Sequence, residues 1–112
     1  MDLLRTEVRD EGPWRVITAR GQLDVATAPD FRQTLVEAQY GGEQRVLIDL
    51  EGIEFIDSMG LGVLLGALKR ARSHQGQLVV ACSRPRTLRL LELTGLDQVL
   101  HLVDDVGEIL EA

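Results

Sequence analysis

Residues 53 to 68, IEFIDSMGLGVLLGAL, contain the sharpest boundary in the chain, between an apolar extended approach and an apolar helix. Asp57 and Ser58 lie at this boundary, and both residue types favour helix N-caps because their side-chain oxygens accept the unpaired N–H groups of the first turn. Four leucines then recur at i, i+3, i+4 and i+7, which predicts a buried side of the helix at Leu61, Leu64, Leu65 and Leu68. We therefore expect the start of this helix at the surface and its body in the core.

Ser58 occupies a position where a helix N-terminus presents unpaired N–H donors and the positive end of its dipole. Both features favour a phosphate. Residue chemistry leaves two interpretations of this serine open: a structural N-cap, or a surface hydroxyl that carries or contacts a phosphoryl group.

Two glycines, Gly62 and Gly66, lie one turn apart in the same helix and form a bare ridge. Each costs a helix about 1 kcal/mol relative to alanine, so the pair indicates that another backbone comes close. That backbone belongs either to the sheet or to a partner. Near the C-terminus of the helix, Lys69, Arg70 and Arg72 suit the negative end of the dipole and do not require a phosphate ligand.

The chain before this stretch begins with two strands and a helix. Residues 2–9 alternate as a half-exposed strand does, and residues 14–20 form a second strand that pairs antiparallel with the first. The helix has Thr27 as a plausible N-cap and Pro29 in its first turn, where the missing N–H costs nothing. It buries one stripe and is expected to end at Gly41-Gly42; the stripe consists of Phe31, Leu35 and Ala38.

Residues 45–50, RVLIDL, are typical of a central strand covered on both faces. A turn at Glu51-Gly52 is expected to follow, and residues 53–56 then return as a short extended piece. Beyond the central helix, the pattern predicts these further elements: a buried strand at 77–81, a helix from Ser83 and Pro85 to Gly95, a short strand within 96–103, and a last helix capped by Asp104 or Asp105.

The predicted order is β-β-α-β-α-β-α-β-α in a single domain that spans residues 1–112. Strands that alternate with helices imply a largely parallel sheet. We therefore predict an α/β fold with a mixed, mostly parallel sheet that begins with an antiparallel hairpin.

The composition excludes several classes of protein. No apolar run approaches the roughly 20 residues of a membrane span, and the N-terminus does not have the pattern of a signal sequence, so we expect a cytoplasmic protein without membrane association. A formal net charge of −6, from 18 acidic and 12 basic residues, argues against nucleic-acid binding and favours contact with a basic patch on another protein. Cys82, the only cysteine, follows an apolar run and is interpreted as a packing residue.

The sequence offers little material for an enzyme. Ser58 lacks the G-x-S-x-G setting of a hydrolase, and neither His74 nor His101 is placed as its base or has a metal-ligand companion at a telling interval. Gly60 and Gly62 alone do not make a dinucleotide fingerprint. We therefore expect no catalytic residue, no metal and no cofactor, and interpret the serine as a substrate.

The motif D-S-x-G-L-G at residues 57–62 resembles the signature of STAS domains of anti-sigma factor antagonists. The segment G-x-L-D at residues 21–24, followed by Ala28-Pro29, and the T-G-L segment at residues 94–96 are similar to the same family. Met59 departs from the commonest pattern, in which a second Ser or Thr follows the motif serine.

This resemblance implies that the chain binds an anti-sigma factor, itself a serine kinase, and releases a sigma factor. It also implies that the kinase phosphorylates Ser58 and so switches the antagonist off, and that a serine phosphatase acts on the phosphorylated form. The expected partner-binding residues are Asp24, Asp57, Ser58, Met59, Gly60 and Gly62, and we expect a monomer or weak dimer. For Asp24, a loop residue that satisfies local N–H groups is an equal alternative.

Two other functions are alternatives to this one. In the first, the chain would be a scaffold subunit of a larger assembly, such as a stressosome-like particle or a lipid-transport complex. In the second, it would be a nucleotide-sensing module that binds its ligand at the helix N-terminus.

Overall fold

In this computed structural model, which describes residues 3–41 and 44–112, five strands form one sheet whose spatial order follows their sequence order. The first pair of strands is antiparallel and the other three pairs are parallel. This confirms the predicted α/β fold with an N-terminal hairpin. The elements in chain order are β1 (Leu4–Glu11), β2 (Trp14–Leu23), α1 (Ala28–Ala38), β3 (Arg45–Ile56), α2 (Ser58–Ser73), β4 (Gln77–Ala81), α3 (Pro85–Thr94), a 3-10 turn (Leu96–Gln98), β5 (His101–Val103) and α4 (Gly107–Leu110).

Each face of the sheet has its own core. Helices α1, α2 and α3 cover one face, where the predicted stripes of α1 and α2 are buried, except that Leu65 is only partly buried. The short helix α4 covers the other face, which consists of Val16, Leu47, Val79 and Ala81. The body of α2 is therefore anchored in the larger core, as its leucine spacing predicted.

Strand β3 is continuous from Arg45 to Ile56, so the turn predicted at Glu51-Gly52 is wrong. A Cβ atom at position 52 would lie 2.6 Å from Cγ of Arg20 and 3.0 Å from the carbonyl oxygen of Ala19. Gly52 thus lets β2 approach closely where the β2–β3 pairing shifts register, between Thr18 and Arg20. The glycine serves a close contact inside the sheet rather than a turn.

Helix ends differ in detail from the prediction. Helix α1 ends at Ala38 with Gln39 as its C-cap, and Gly41 follows with a positive φ of 104°, while Gly42 lies outside the described residues. Helix α4 starts at Gly107 with Val106 at its N-cap position, so the cap predicted at Asp104 or Asp105 is wrong, although the N–H of Gly107 donates to Oδ1 of Asp105 at 2.7 Å. The first strand begins at Leu4, and Asp2, predicted to belong to it, also lies outside the described residues.

Cys82 lies in the larger core with 1% of its surface exposed, which confirms it as a packing residue. Burial raises the pKa of its thiol above the ordinary value. In the described part of the chain, no helix combines the length and the apolar character needed to cross a membrane.

Candidate functional site

The site is built where two parallel neighbouring strands end side by side. Leu23 at the end of β2 is in register with Ile56 at the end of β3. The N–H of Asp57 donates to the carbonyl oxygen of Leu23 at 3.1 Å, which joins the two chain segments just beyond the strands. The loop that begins at Asp24 and the start of α2 therefore meet at one edge of the sheet, the edge at which α/β folds commonly bind ligands.

Asp57 is the N-cap of α2. Its Oδ1 accepts the N–H groups of Met59 at 2.9 Å and Gly60 at 3.1 Å, and its Oδ2 accepts the N–H of Val25 at 3.1 Å. One carboxylate thus caps the helix and ties it to the loop after β2. The interpretation of Ser58 as the cap is wrong, because the adjacent carboxylate takes that role.

Ser58 is the first helical residue of α2 and is exposed. The first-turn N–H groups of Met59 and Gly60 already donate to Asp57. They are therefore not open donors for a phosphate, although the dipole of the helix still favours negative charge at this end. The serine presents its hydroxyl to solvent without serving as the cap of the helix.

Asp24 is half-buried and shapes the loop before α1. Its Oδ1 accepts the N–H groups of Ala26 at 2.9 Å and Thr27 at 3.2 Å. Thr27 stands at the N-cap position of α1 without a side-chain capping bond; its Oγ1 instead accepts the N–H of Asp24 at 3.0 Å, and its hydroxyl donates to the carbonyl oxygen of Gln22 at 2.9 Å. The structure therefore shows the local loop role of Asp24, which positions the neighbouring residues.

Two exposed apolar side chains lie beside Ser58. Val25 is 65% exposed and Met59 is 52% exposed. The three hydrogen bonds of Asp57 hold their backbones at the same helix start. Sequence reasoning missed Val25; the only signal was an apolar residue in an otherwise polar turn, and nothing in the sequence showed that it is exposed.

The three glycines of α2 have different surroundings. Gly60 is buried, and a Cβ atom there would lie 2.6 Å from the carbonyl oxygen of Leu23 and 2.9 Å from Cγ1 of Ile56. Gly62 is exposed and a Cβ atom there would meet nothing within 4 Å, while at Gly66 it would meet only Nη1 of Arg70 at 3.5 Å. The close approach by the sheet thus occurs at Gly60, and the sheet does not explain the other two glycines.

A groove of about 230 Å³ runs along the exposed side of α2 towards α1. Ser58 and Met59 lie at one end of α2, and Arg70 lies near the other end. The residues that line the groove are Arg32, Ser58, Met59, Gly62, Val63, Gly66 and Arg70. Burial and the neighbouring Arg32 lower the pKa of Arg70, which still carries its charge at neutral pH.

The described residues contain no group of three or more His, Cys, Asp or Glu that is arranged to hold a metal ion. The candidate site combines an exposed hydroxyl, two exposed apolar side chains and a groove with two guanidinium groups. Such a surface is suited to contact with another protein and to modification of the hydroxyl.

A family model described as STAS domain matches residues 5–109. The anti-sigma-B factor antagonist of Listeria monocytogenes is 36% identical over 93 residues, which cover 83% of this chain and 82% of that protein. The anti-sigma-B factor antagonist of Staphylococcus aureus is 29% identical, covering 88% of this chain and 92% of its own length. A crystal structure of an anti-sigma factor antagonist from Mycobacterium paratuberculosis has a TM-score of 0.88 at 29% identity, covering 96% of this chain and 92% of that one.

Proposed function

Because the chain belongs to the STAS domain family, we propose that it is an anti-sigma factor antagonist controlled by phosphorylation of Ser58. It binds an anti-sigma factor that is a serine kinase, and this binding releases the sigma factor. The kinase then phosphorylates Ser58, which weakens the interaction, and a serine phosphatase restores the active form. The names of the relatives support the antagonist role, and the exposure of Ser58 at the start of α2 carries the regulatory part.

The position of Ser58 suits a kinase substrate. Its side chain is exposed, and Asp57 supplies the capping bonds of the helix. Attachment of a phosphate therefore disrupts no hydrogen bond of the cap. The serine is therefore available to an enzyme at little structural cost.

The partner surface surrounds this serine. Val25 and Met59 supply exposed apolar area near it, and exposed Gly62 extends the surface along α2. Buried Gly60 and the carboxylates of Asp24 and Asp57 hold the loop and the helix start in place. Contact area and positioning are thus divided between different residues of the same surface.

Phosphorylation changes the electrostatics of this surface. It adds roughly 1.5 to 2 negative charges at neutral pH. A single negative charge placed about 4 Å from an acidic group of the partner costs on the order of 4 kcal/mol of binding free energy at an effective dielectric constant near 20. This cost corresponds to nearly three decades of affinity, which is enough for a switch.

The test mixes the protein with a candidate anti-sigma kinase and ATP and locates the phosphate by mass spectrometry. We expect phosphate on Ser58 and none on Ser58→Ala, which keeps the fold because Ser58 does not cap α2. Phosphate on another residue, with Ser58→Ala still accepting it, would rule out the regulatory part.

A second comparison separates regulation from folding. Ser58→Asp is expected to weaken binding to the kinase, measured by calorimetry, while its unfolding midpoint stays near that of the wild type. Equal affinity of Ser58→Asp, Ser58→Ala and the wild type would show that charge at this position does not control the interaction.

A further inference from the structure

We propose that the groove along α2 receives an acidic segment of the anti-sigma factor, whose carboxylates lie at Arg32 and Arg70. The proposal rests on the proposed function and adds the chemistry of the partner to it. The net charge of −6 alone predicts contact with a basic patch of the partner, whereas this groove predicts contact with an acidic segment.

The groove is locally basic in an acidic protein. Its lining contains two arginines and no Asp or Glu, although the chain has 18 acidic and 12 basic residues. Among residues 3–41 and 44–112, the ion pairs shorter than 4.0 Å are Arg9–Glu11 and Arg15–Asp10. The charges of Arg32 and Arg70 are therefore not neutralised by a paired carboxylate within that part of the chain.

Arg70 is held in a fixed orientation between the two helices. Its Nε donates to Oε1 of Gln39 at 3.0 Å, and Nε2 of Gln39 donates to the carbonyl oxygen of Ala67 at 2.8 Å. The Nη2 atom of Arg70 is buried and has no acceptor among the residues that the structure describes. Because Nε is already bonded and Nη2 is buried, Nη1, which lies 3.5 Å from the Cβ position of Gly66, is the donor left for a ligand, and two neighbouring guanidinium groups favour an anionic one.

The shape of the groove fits a polypeptide. Gly62 and Gly66 leave its floor without side chains, and a Cβ atom at either position would meet no backbone of the described fold. Each glycine nevertheless costs the helix about 1 kcal/mol relative to alanine. A partner backbone that passes close to α2 accounts for this cost, which packing within the fold does not.

The groove also links the acidic segment to the phosphorylation site. Ser58 and Arg70 are 12 residues apart on α2, which corresponds to about 18 Å along the helix axis. An acidic segment that extends from Arg70 towards Ser58 would face the phosphate directly. Phosphorylation would then repel the same segment that the arginines attract, which gives the switch its direction.

A charge variant with a matched control tests this proposal. Arg32→Glu changes an exposed residue of the groove, and Arg5→Glu changes an exposed residue of β1 by the same two charges. We expect Arg32→Glu to weaken binding of the unphosphorylated protein to the anti-sigma kinase at least tenfold at low salt. Arg5→Glu should change the affinity by less than threefold, and circular dichroism should show both variants folded.

A photo-crosslinking residue that replaces Met59, an exposed side chain at one end of the groove, identifies the occupant. The crosslinked peptide of the kinase should contain clustered Asp or Glu residues. A neutral or basic peptide, a crosslink to a second copy of this chain, or equal affinities of Arg32→Glu and Arg5→Glu would overturn the proposal. If one of these results is found and the wild-type protein still binds the kinase, only the acidic-segment proposal fails and the proposed function stands. If the wild-type protein does not bind the kinase at all, the acidic-segment proposal and the proposed function both fail.

Discussion

Asp57 acts at the scale of a single residue and organises the candidate site. One of its oxygens caps α2 and the other holds the N–H of Val25, so the carboxylate joins two segments that are more than 30 positions apart in sequence. The adjacent Ser58 has no part in these bonds and stays exposed. Helix capping is thus assigned to Asp57, and the neighbouring serine stays exposed for the proposed regulation.

This division predicts different stabilities for two alanine variants. Asp57→Ala removes the cap and leaves the N–H of Val25 without its acceptor, so the free energy of unfolding should fall by about 1–2 kcal/mol. Ser58→Ala should change it by less than about 0.5 kcal/mol, as for an ordinary surface substitution. Urea denaturation measures both values. A larger loss for Ser58→Ala than for Asp57→Ala would show that the serine, not the aspartate, caps α2.

Cys82 predicts a dependence of stability on alkaline pH. Burial raises the pKa of its thiol in the folded protein, so above about pH 8.5 the unfolded chain releases a proton that the folded protein keeps. The contribution of the thiol to stability is complete below that pH and decreases as the pH rises. The difference in free energy of unfolding between wild type and Cys82→Ala should therefore narrow from about pH 8 to about pH 10. A constant difference would contradict this account.

Two glycines of helix α2, Gly60 and Gly62, should respond to substitution with opposite changes in stability. Gly60→Ala places a Cβ atom 2.6 Å from the carbonyl oxygen of Leu23, so we expect a loss of about 1–3 kcal/mol in the free energy of unfolding. Gly62→Ala meets nothing within 4 Å and should stabilise the protein by about 0.5–1 kcal/mol. Thermal and urea denaturation of the two variants measure these changes; a gain for Gly60→Ala would contradict the close packing at Gly60, and a loss for Gly62→Ala would contradict the open surroundings of Gly62.

The order and type of the elements could be predicted because hydrophobic periodicity changes clearly between them. The leucine spacing of α2 and the alternating residues of β1 are local signals that survive in the fold. Gly52 was misinterpreted because a turn and a close contact between strands need the same residue type, and only the position of Arg20 separates them.

The candidate site was predicted in part. The sequence placed Ser58 at an exposed helix start, which the structure shows, but it could not choose between two adjacent capping residues. In the structure Asp57 accepts the N–H groups of Met59 and Gly60, and its further bond from Val25 joins distant parts of the chain. The exposure of Val25 and the proximity of Arg32 to Arg70 likewise depend on the tertiary structure, and no local sequence pattern predicts them.

At the scale of the whole molecule, two cores of unequal size share one sheet. The smaller core is covered by α4, a helix of four residues, and includes Trp14, the only tryptophan. Its strands β2, β3 and β4 also contribute to the larger core. The two cores should therefore unfold together.

A substitution in α4 tests this coupling. Ile109→Ala removes part of the cover of the smaller core and should lower the free energy of unfolding by about 1–2 kcal/mol, while Glu111→Ala, at an exposed position, should change it little. Trp14 fluorescence and far-ultraviolet circular dichroism should shift to the same lower urea midpoint. Earlier loss of the fluorescence signal alone would show that the smaller core unfolds independently.

The hairpin turn between β1 and β2 lies at the opposite end of the sheet from Ser58, separated from it by the length of β2. Pro13 in this turn is exposed, and the one natural thiol is buried. A fluorophore or a biosensor surface coupled through Pro13→Cys would consequently attach at one point and leave the edge that carries Ser58 uncovered during affinity measurements.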